Sequence, residues 1–298
     1  MQSTRSNLGN MPNQTAIPCL AGIAPVAAGA EAWISDIWGV LHNGATAFPA
    51  AGEACVRYRA QGGVVVLVTN APYREARVAA MLRDLGVPRD AYDAIVTSGD
   101  VTRGLIGAHQ GGSVVHLGPD RYNAIFDNID VRLNDLSPAS NAVVCTGLYN
   151  DDYETPADYA ERLAAFRAQH LPMICANPDI IVERGHTLHY CAGAIAEAYE
   201  KIGGRVAYAG KPHAPIYAEA FRLIDAIKGR AVEKADIIAI GDGVRTDIAG
   251  AGAMGLRSVF IASALHVPAG RTLDAALLDE LFAGHPHPPI AAQAGLTW

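Results

Sequence analysis

Residues Trp33–Gly44 read WISDIWGVLHNG. The stretch opens as a short apolar run (Ala32, Trp33, Ile34), reaches one acidic residue at Asp36, and breaks at Gly39 and Gly44. A buried strand that hands a carboxylate to a glycine-bearing loop is how an open α/β sheet presents a reactive group, because ligands gather at the carboxyl ends of its strands. A strand-terminal Asp also serves as a turn residue or helix cap. The rest of the chain has to decide between the two.

Outward from this stretch, strand and helix signals alternate. Pro49 opens a helix that Gly62-Gly63 closes, and Val64–Val68 is an unbroken β-branched run of the kind buried on both faces of a sheet. It stops at Thr69-Asn70; an amphipathic helix to Leu85, a strand over Asp93–Thr97 and a helix over Ser98–His109 follow. Gly111-Gly112 begins a second block, with strands at Val114–Leu117, Ala142–Thr146 and Met173–Ala176 and helices at Pro156–His170 and Ala192–Ile202. From Val206 the first pattern resumes: Val206–Ala209 ends at Gly210-Lys211-Pro212, Ile237–Ile240 ends at Gly241-Asp242-Gly243, and Ser258–Ile261 is the last strand expected. Such alternation predicts an α/β fold, a Rossmann-like parallel sheet covered by helices. Residues 1–110 and 205–298 would form the core, with 1–30 a loose N-terminal arm, and 111–204 a smaller inserted α/β domain.

Composition limits the functions open to this chain. With 298 residues it can bury a sizeable core, and half of them are hydrophobic. A net charge of −7 gives no general attraction to nucleic acid or to an anionic membrane, and no apolar run approaches the length of a spanning helix. Five scattered cysteines without a C-x-x-C fit reduced thiols in a cytoplasmic protein. Residues 16–30 look faintly like a cleavable leader, but Pro18 and Pro25 interrupt the apolar region and cleavage would expose the first strand. The tail His285–Pro289, HPHPP, reads as a proline-broken surface segment.

Four apolar runs thus end in polar groups: Asp36, Thr69-Asn70, Lys211, and Asp242 with Thr246-Asp247. In one parallel sheet these would meet on one edge, where a divalent cation and a bound anion would balance the charges. Asp, Lys, Thr and a cation are also the groups that phosphoryl transfer uses.

DIWGV, VTN, GKP and GDGVRTDI, in this order, resemble the four motifs of the haloacid dehalogenase (HAD) superfamily. A cap-sized insertion between the second and third motifs is similar to the class IIA branch, which holds phosphatases of small phosphorylated metabolites, and ANPDIIVERG and CAGAIAEAYEKIGG resemble its α/β cap. The resemblance implies a Mg²⁺-dependent phosphatase, with a phosphorylated metabolite such as a sugar phosphate as substrate and a possible homodimer through the cap. It makes Asp36 the nucleophile and a metal ligand, beside the backbone carbonyl of Trp38 and Asp242, with Asp247 in support. Thr69, Asn70 and Lys211 would hold the phosphate, and Asn177, Asp179 and Gly193 would face it from the cap.

One position departs from the pattern. Phosphatases of the superfamily carry a second Asp two residues after the nucleophile, which protonates the leaving oxygen; here that residue is Trp38. Indole cannot do acid–base work, and losing a general acid costs about 10²–10⁴ in rate. Another group, such as His42, could supply the proton, or the substrate could carry a good leaving group. The alternatives are a dehalogenase-like attack on carbon, or a catalytically impaired member that binds a phosphate ligand. Tyr149, Asp151 and Asp152 read as a surface turn, with a place near the site as the alternative.

Overall fold

A computed structural model describes residues 16–184, 187–262, 267 and 271–298. In chain order its strands are β1 (Ala32–Asp36), β2 (Val64–Thr69), β3 (Ala94–Thr97), β4 (Ser113–Leu117), β5 (Arg132–Leu133), β6 (Ser140–Cys145) and β7 (Pro172–Cys175). There follow β8 (Ile181–Arg184), β9 (Thr187–Tyr190), β10 (Arg205–Tyr208), β11 (Ile237–Gly241), β12 (Arg257–Ile261) and β13 (Ala291–Gln293). The α-helices are α1 (Ala24–Ala27), α2 (Pro49–Ala60), α3 (Glu75–Leu85), α4 (Ser98–Gly107), α5 (Ala160–Ala168), α6 (Ala192–Lys201), α7 (Ala214–Lys228), α8 (Ala249–Met254) and α9 (Ala275–Leu281).

Two parallel sheets result. The first runs β13-β12-β11-β1-β2-β3, and β1, at its centre, pairs Ala32 with Val64 on one side and with Ile237 on the other. Every residue of β1, β2 and β11 is buried, as continuous VVVLVT and IIAIG runs require of strands covered on both faces. One face packs Trp33, Val65, Leu67 and Ile238 against α2 and α3, the other packs Ile34, Val66 and Ala239 against α7. Trp33 stacks on Tyr58 of α2 with centroids 3.9 Å apart and planes 5° from parallel, which ties the strand carrying Asp36 to its covering helix.

The second sheet, β10-β7-β6-β4-β5, is also parallel and has its own core around Phe166, Met173, Ile195 and Tyr199. β8 and β9 pair separately as an antiparallel hairpin.

Three expectations change. Val206–Ala209 does not resume the first sheet: Arg205–Tyr208 pairs with β7 and forms an edge of the second. A four-residue strand carries no mark of the sheet it will join, and Val206 and Tyr208, half-buried, find partners in the second core. Ser258–Ile261 is not the last strand either, since β13 follows at Ala291–Gln293. Within the arm, the described residues 16–30 are docked rather than loose, with Ile23 and Ala27 buried. Their backbone bonds to the C-terminal segment (Leu20 N to Ala292 O, 2.8 Å; Ile23 N to Thr297 O, 2.9 Å) replace water as partners. No described helix is long and apolar enough to cross a membrane.

Candidate active site

Asp36 is the last residue of β1, and both hydrogen bonds to its carboxylate fall on Oδ1: from the Ile37 backbone N–H at 2.7 Å and from Lys211 Nζ at 2.7 Å. Lys211 Nζ also reaches Asp247 Oδ1 at 2.8 Å and the Val68 carbonyl at 3.3 Å. All three charged side chains are nearly inaccessible, so the ammonium is shared between two carboxylates away from water. Burial pulls the Lys211 pKa down, but Asp247 and Asp36 more than reverse this and hold it above its ordinary value. Burial pushes Asp36 up to about 7 and Asp247 to about 6, each opposed by Lys211 and reinforced by a neighbouring carboxylate.

Asp242 completes the group. Ligand atoms of Asp36, Asp242 and Asp247 lie within 4.8 Å of one another, all buried. Backbone geometry makes room for them. At Gly39 φ is +81°, and a Cβ there would stand 2.2 Å from Asp242 Oδ2; a Cβ at Gly241 would stand 2.2 Å from the Asp247 carboxyl carbon. Asp247 sits on a single π turn, Val244–Ile248, where Gly243 N–H (3.2 Å) and Thr246 Oγ1 (3.3 Å) donate to Oδ2. Three carboxylates against one ammonium leave a negative surplus, and hard oxygen donors so arranged fit a divalent cation such as Mg²⁺.

Thr69 ends β2 and Asn70 follows it, beside this group. Thr69 Oγ1 accepts from Ala71 N–H at 3.2 Å. Asn70 Oδ1 accepts from the Lys211 backbone N–H at 2.7 Å, while Nδ2 donates to Asp179 Oδ1 at 2.8 Å and to Lys211 O at 3.2 Å. Lys211 therefore reaches Asp36 from the loop after β10, a second-sheet strand, rather than from a strand of the first sheet. Asp179 comes from the β7–β8 loop, where Asn177 Oδ1 accepts its N–H at 3.0 Å. Gly193, at the start of α6, presses on the same loop, and a Cβ there would lie 2.2 Å from the Pro178 carbonyl oxygen and 2.5 Å from that of Asp179.

Trp38 and His42 belong to the loop after β1. The indole lies on Gly44, whose Cβ, if present, would stand 2.2 Å from Cη2, and meets the His42 ring edge-on at 5.3 Å. His42 is buried, accepts from Gly44 N–H through Nδ1 at 2.8 Å, and burial lowers its pKa. It is built as a neutral loop anchor. Asp151 and Asp152 do lie in a turn, with partners that no motif announces: Arg121 and Arg184 both bind Asp151 Oδ2, at 2.9 and 2.6 Å, and His189 Nδ1 lies 3.3 Å from Asp152 Oδ1. These residues are scattered over some 70 positions and share no periodicity, so no local pattern could announce them. The same holds for Tyr73, after Asn70, and Tyr122, whose rings pack at 4.8 Å across the two units.

A family model for haloacid dehalogenase-like hydrolases matches residues 33–132, and a second, for HAD-hydrolase-like chains, matches residues 208–279. Ribonucleotide monophosphatase NagD of Escherichia coli (strain K12) is 29% identical over 241 residues, 77% of this chain and 86% of NagD. The crystal structure of glycerol phosphate phosphatase Rv1692 from Mycobacterium tuberculosis in complex with magnesium is similar at a TM-score of 0.60 and 25% identity, over 80% of this chain and 70% of that one. A hydrolase of the haloacid dehalogenase-like family from Brucella suis 1330 is similar at a TM-score of 0.81, covering 99% of its length. Being 44% identical to that hydrolase over 93% of its own length, and sharing its fold, the chain belongs to the haloacid dehalogenase-like hydrolases.

Proposed function

We propose that the chain is a Mg²⁺-dependent phosphatase of small phosphomonoesters, working through an aspartyl-phosphate on Asp36. The observation that carries this reading is the buried Asp36–Lys211–Asp247 group with Asp242 beside it. The Lys211 ammonium opposes the burial that raises the Asp36 pKa, and it is placed to balance charge on a phosphoryl group arriving at Asp36. Thr69 and Asn70 offer a hydroxyl and an amide to the phosphate oxygens. Asp36, Asp242 and the Trp38 carbonyl would hold Mg²⁺, with Asp247 supporting it. When bound, the ion supplies electrophilic stabilisation of the phosphate oxygens.

The second unit serves as the cap in this reading, with Asn177, Asp179 and Gly193 on the side that faces the phosphate. Closure of such a cap excludes water from the transfer step. The relatives named for nucleotide and glycerol phosphates support a small phosphorylated metabolite as substrate. Trp38 has neither a titratable proton nor an acceptor, so leaving-group activation has to come from elsewhere or be unnecessary.

The test is Mg²⁺-dependent phosphate release from 4-nitrophenyl phosphate, sugar phosphates, nucleoside monophosphates and glycerol phosphate, with Asp36→Asn as control. Wild-type turnover should fall by at least about 10³-fold in the variant. Equal rates in the two proteins would sink the aspartyl-phosphate route.

A further inference from the structure

Alcohol leaving groups need a proton, and the protonatable side chains around Asp36 can be taken in turn. Lys211 directs its ammonium at Asp36, Asp247 and the Val68 carbonyl, and its two carboxylates keep its proton on it. His42 has its Nδ1 occupied by Gly44 N–H, and burial disfavours the imidazolium. Asp242 and Asp247 belong to the carboxylate triad. Asp179 remains.

Its position is built. Asp179 Oδ1 is one amide away from the phosphate cradle, through Asn70 Nδ2 at 2.8 Å, and that same amide holds the Lys211 backbone. Asn177 fixes its backbone N–H, Cys191 N–H closes the loop on the Ile180 carbonyl at 2.9 Å, and Gly193 lets α6 buttress it. Its surroundings suit a carboxyl that keeps its proton: burial raises its pKa, Asn70 and Lys211 oppose this, and Asp247 adds to it. Cys175 and Cys191 also face it, and burial keeps both thiols protonated.

We propose that Asp179 is the general acid and base of the reaction, supplied from the cap in place of a carboxyl at Trp38. The proposal rests on the phosphatase reading above. As Asp36 forms its bond to phosphorus, the bond from phosphorus to the leaving oxygen breaks. That oxygen keeps the electron pair, takes the Asp179 proton, and departs as the alcohol. The Asp179 carboxylate then accepts a proton from water as the water oxygen attacks phosphorus. The phosphorus–Asp36 bond breaks, its pair returns to the Asp36 carboxylate, and phosphate leaves with Asp179 protonated again. An arriving phosphate oxygen would take over Asn70 Nδ2 and free Asp179 for this work. Nucleophile and acid then meet only when cap and core are closed, which couples chemistry to substrate capture.

The experiment is kcat/KM of the full chain with Mg²⁺ for a series of phosphomonoesters running from 4-nitrophenyl phosphate to alkyl phosphates, on wild type, Asp179→Asn and Asp179→Glu. The ratio of aryl to alkyl kcat/KM should rise by about 10²-fold or more in the Asn variant, the size of a lost general acid. The limb of the alkyl pH profile that reports an acid should vanish with it, and Glu should recover part of both. Equal losses on aryl and alkyl esters, or a rise in KM alone, would show that Asp179 merely positions Asn70. If the Asn variant does not fold, the wild-type series still decides. A shallow dependence on leaving-group basicity is expected, and a steep one overturns the proposal. No turnover of any ester by wild type would sink the phosphatase reading, and the proposal with it.

Discussion

At Gly39 the backbone turns through φ +81°, and the space where a Cβ would stand belongs to Asp242, 2.2 Å away. Gly39→Ala therefore combines a strained backbone with a direct clash on a carboxylate of the triad, and should cost about 1–3 kcal/mol of stability. Its more telling effect should be on the cation. The rise in melting temperature on adding Mg²⁺ should shrink markedly relative to wild type; an unchanged rise would separate Asp242 from metal binding. At this scale the sequence was informative wherever chemistry and backbone demand coincide in one residue. Asp36 at a strand end with Gly39 after it raises a site as one reading, which the polar ends of the other apolar runs then favour. Trp38 announces a departure, but its seat on Gly44 depends on how the loop closes.

Between elements, α6 and the β7–β8 loop approach closely enough that Gly193 has no room for a methyl group, with two carbonyl oxygens at 2.2 and 2.5 Å from its Cβ position. Gly193→Ala should push Asp179 away from Asn70 and cost about 1–3 kcal/mol as overpacking. Kinetically it should lower kcat/KM for alkyl phosphates more than for aryl ones, widening the existing ranking as displacement of the Asp179 acid requires. A reversal of the ranking would mean that α6 contacts the leaving group instead. Strands and helices were legible because continuous β-branched runs and glycine or proline boundaries act locally. Which sheet a strand enters was not, as β10 demonstrates. Its register with β7 sets Val206 opposite Met173, and Val206 and Tyr208 pack against the second core, neither of which the four residues of β10 encode.

Over the whole molecule, the two ends of the described chain clasp the core sheet. Ala292 N–H donates to Pro18 O at 2.9 Å while Leu20 N–H donates back to Ala292 O, and Trp298 lies 6.4 Å from the Trp33 ring. Leu296, 2% exposed, plugs this seam into the cluster beneath β1. Leu296→Ala should cost about 2–5 kcal/mol, as for a buried leucine elsewhere, read as a lower urea midpoint at unchanged slope. A midpoint within error of wild type would mean that the clasp contributes nothing to the core. The N-terminal segment is hard to read because its value depends on partners some 270 residues later. Locally it is an alanine- and proline-containing stretch with no regular period.

Legible in the chain alone are the alternating fold, the insertion after the second core motif, and the polar residues with which the apolar runs end. Each follows from short-range rules: β-branched runs make buried strands, glycines break them, and a carboxylate at a strand's end faces the ligand edge. Packing between distant segments decides that Lys211 reaches Asp36 from the loop after β10 of the second sheet, that one ammonium serves both Asp36 and Asp247, and that Asp179 bonds Asn70 across the two units. Ion sharing and cross-unit hydrogen bonds are set by packing between segments 36 to 175 residues apart, and a linear pattern does not encode which of them will meet.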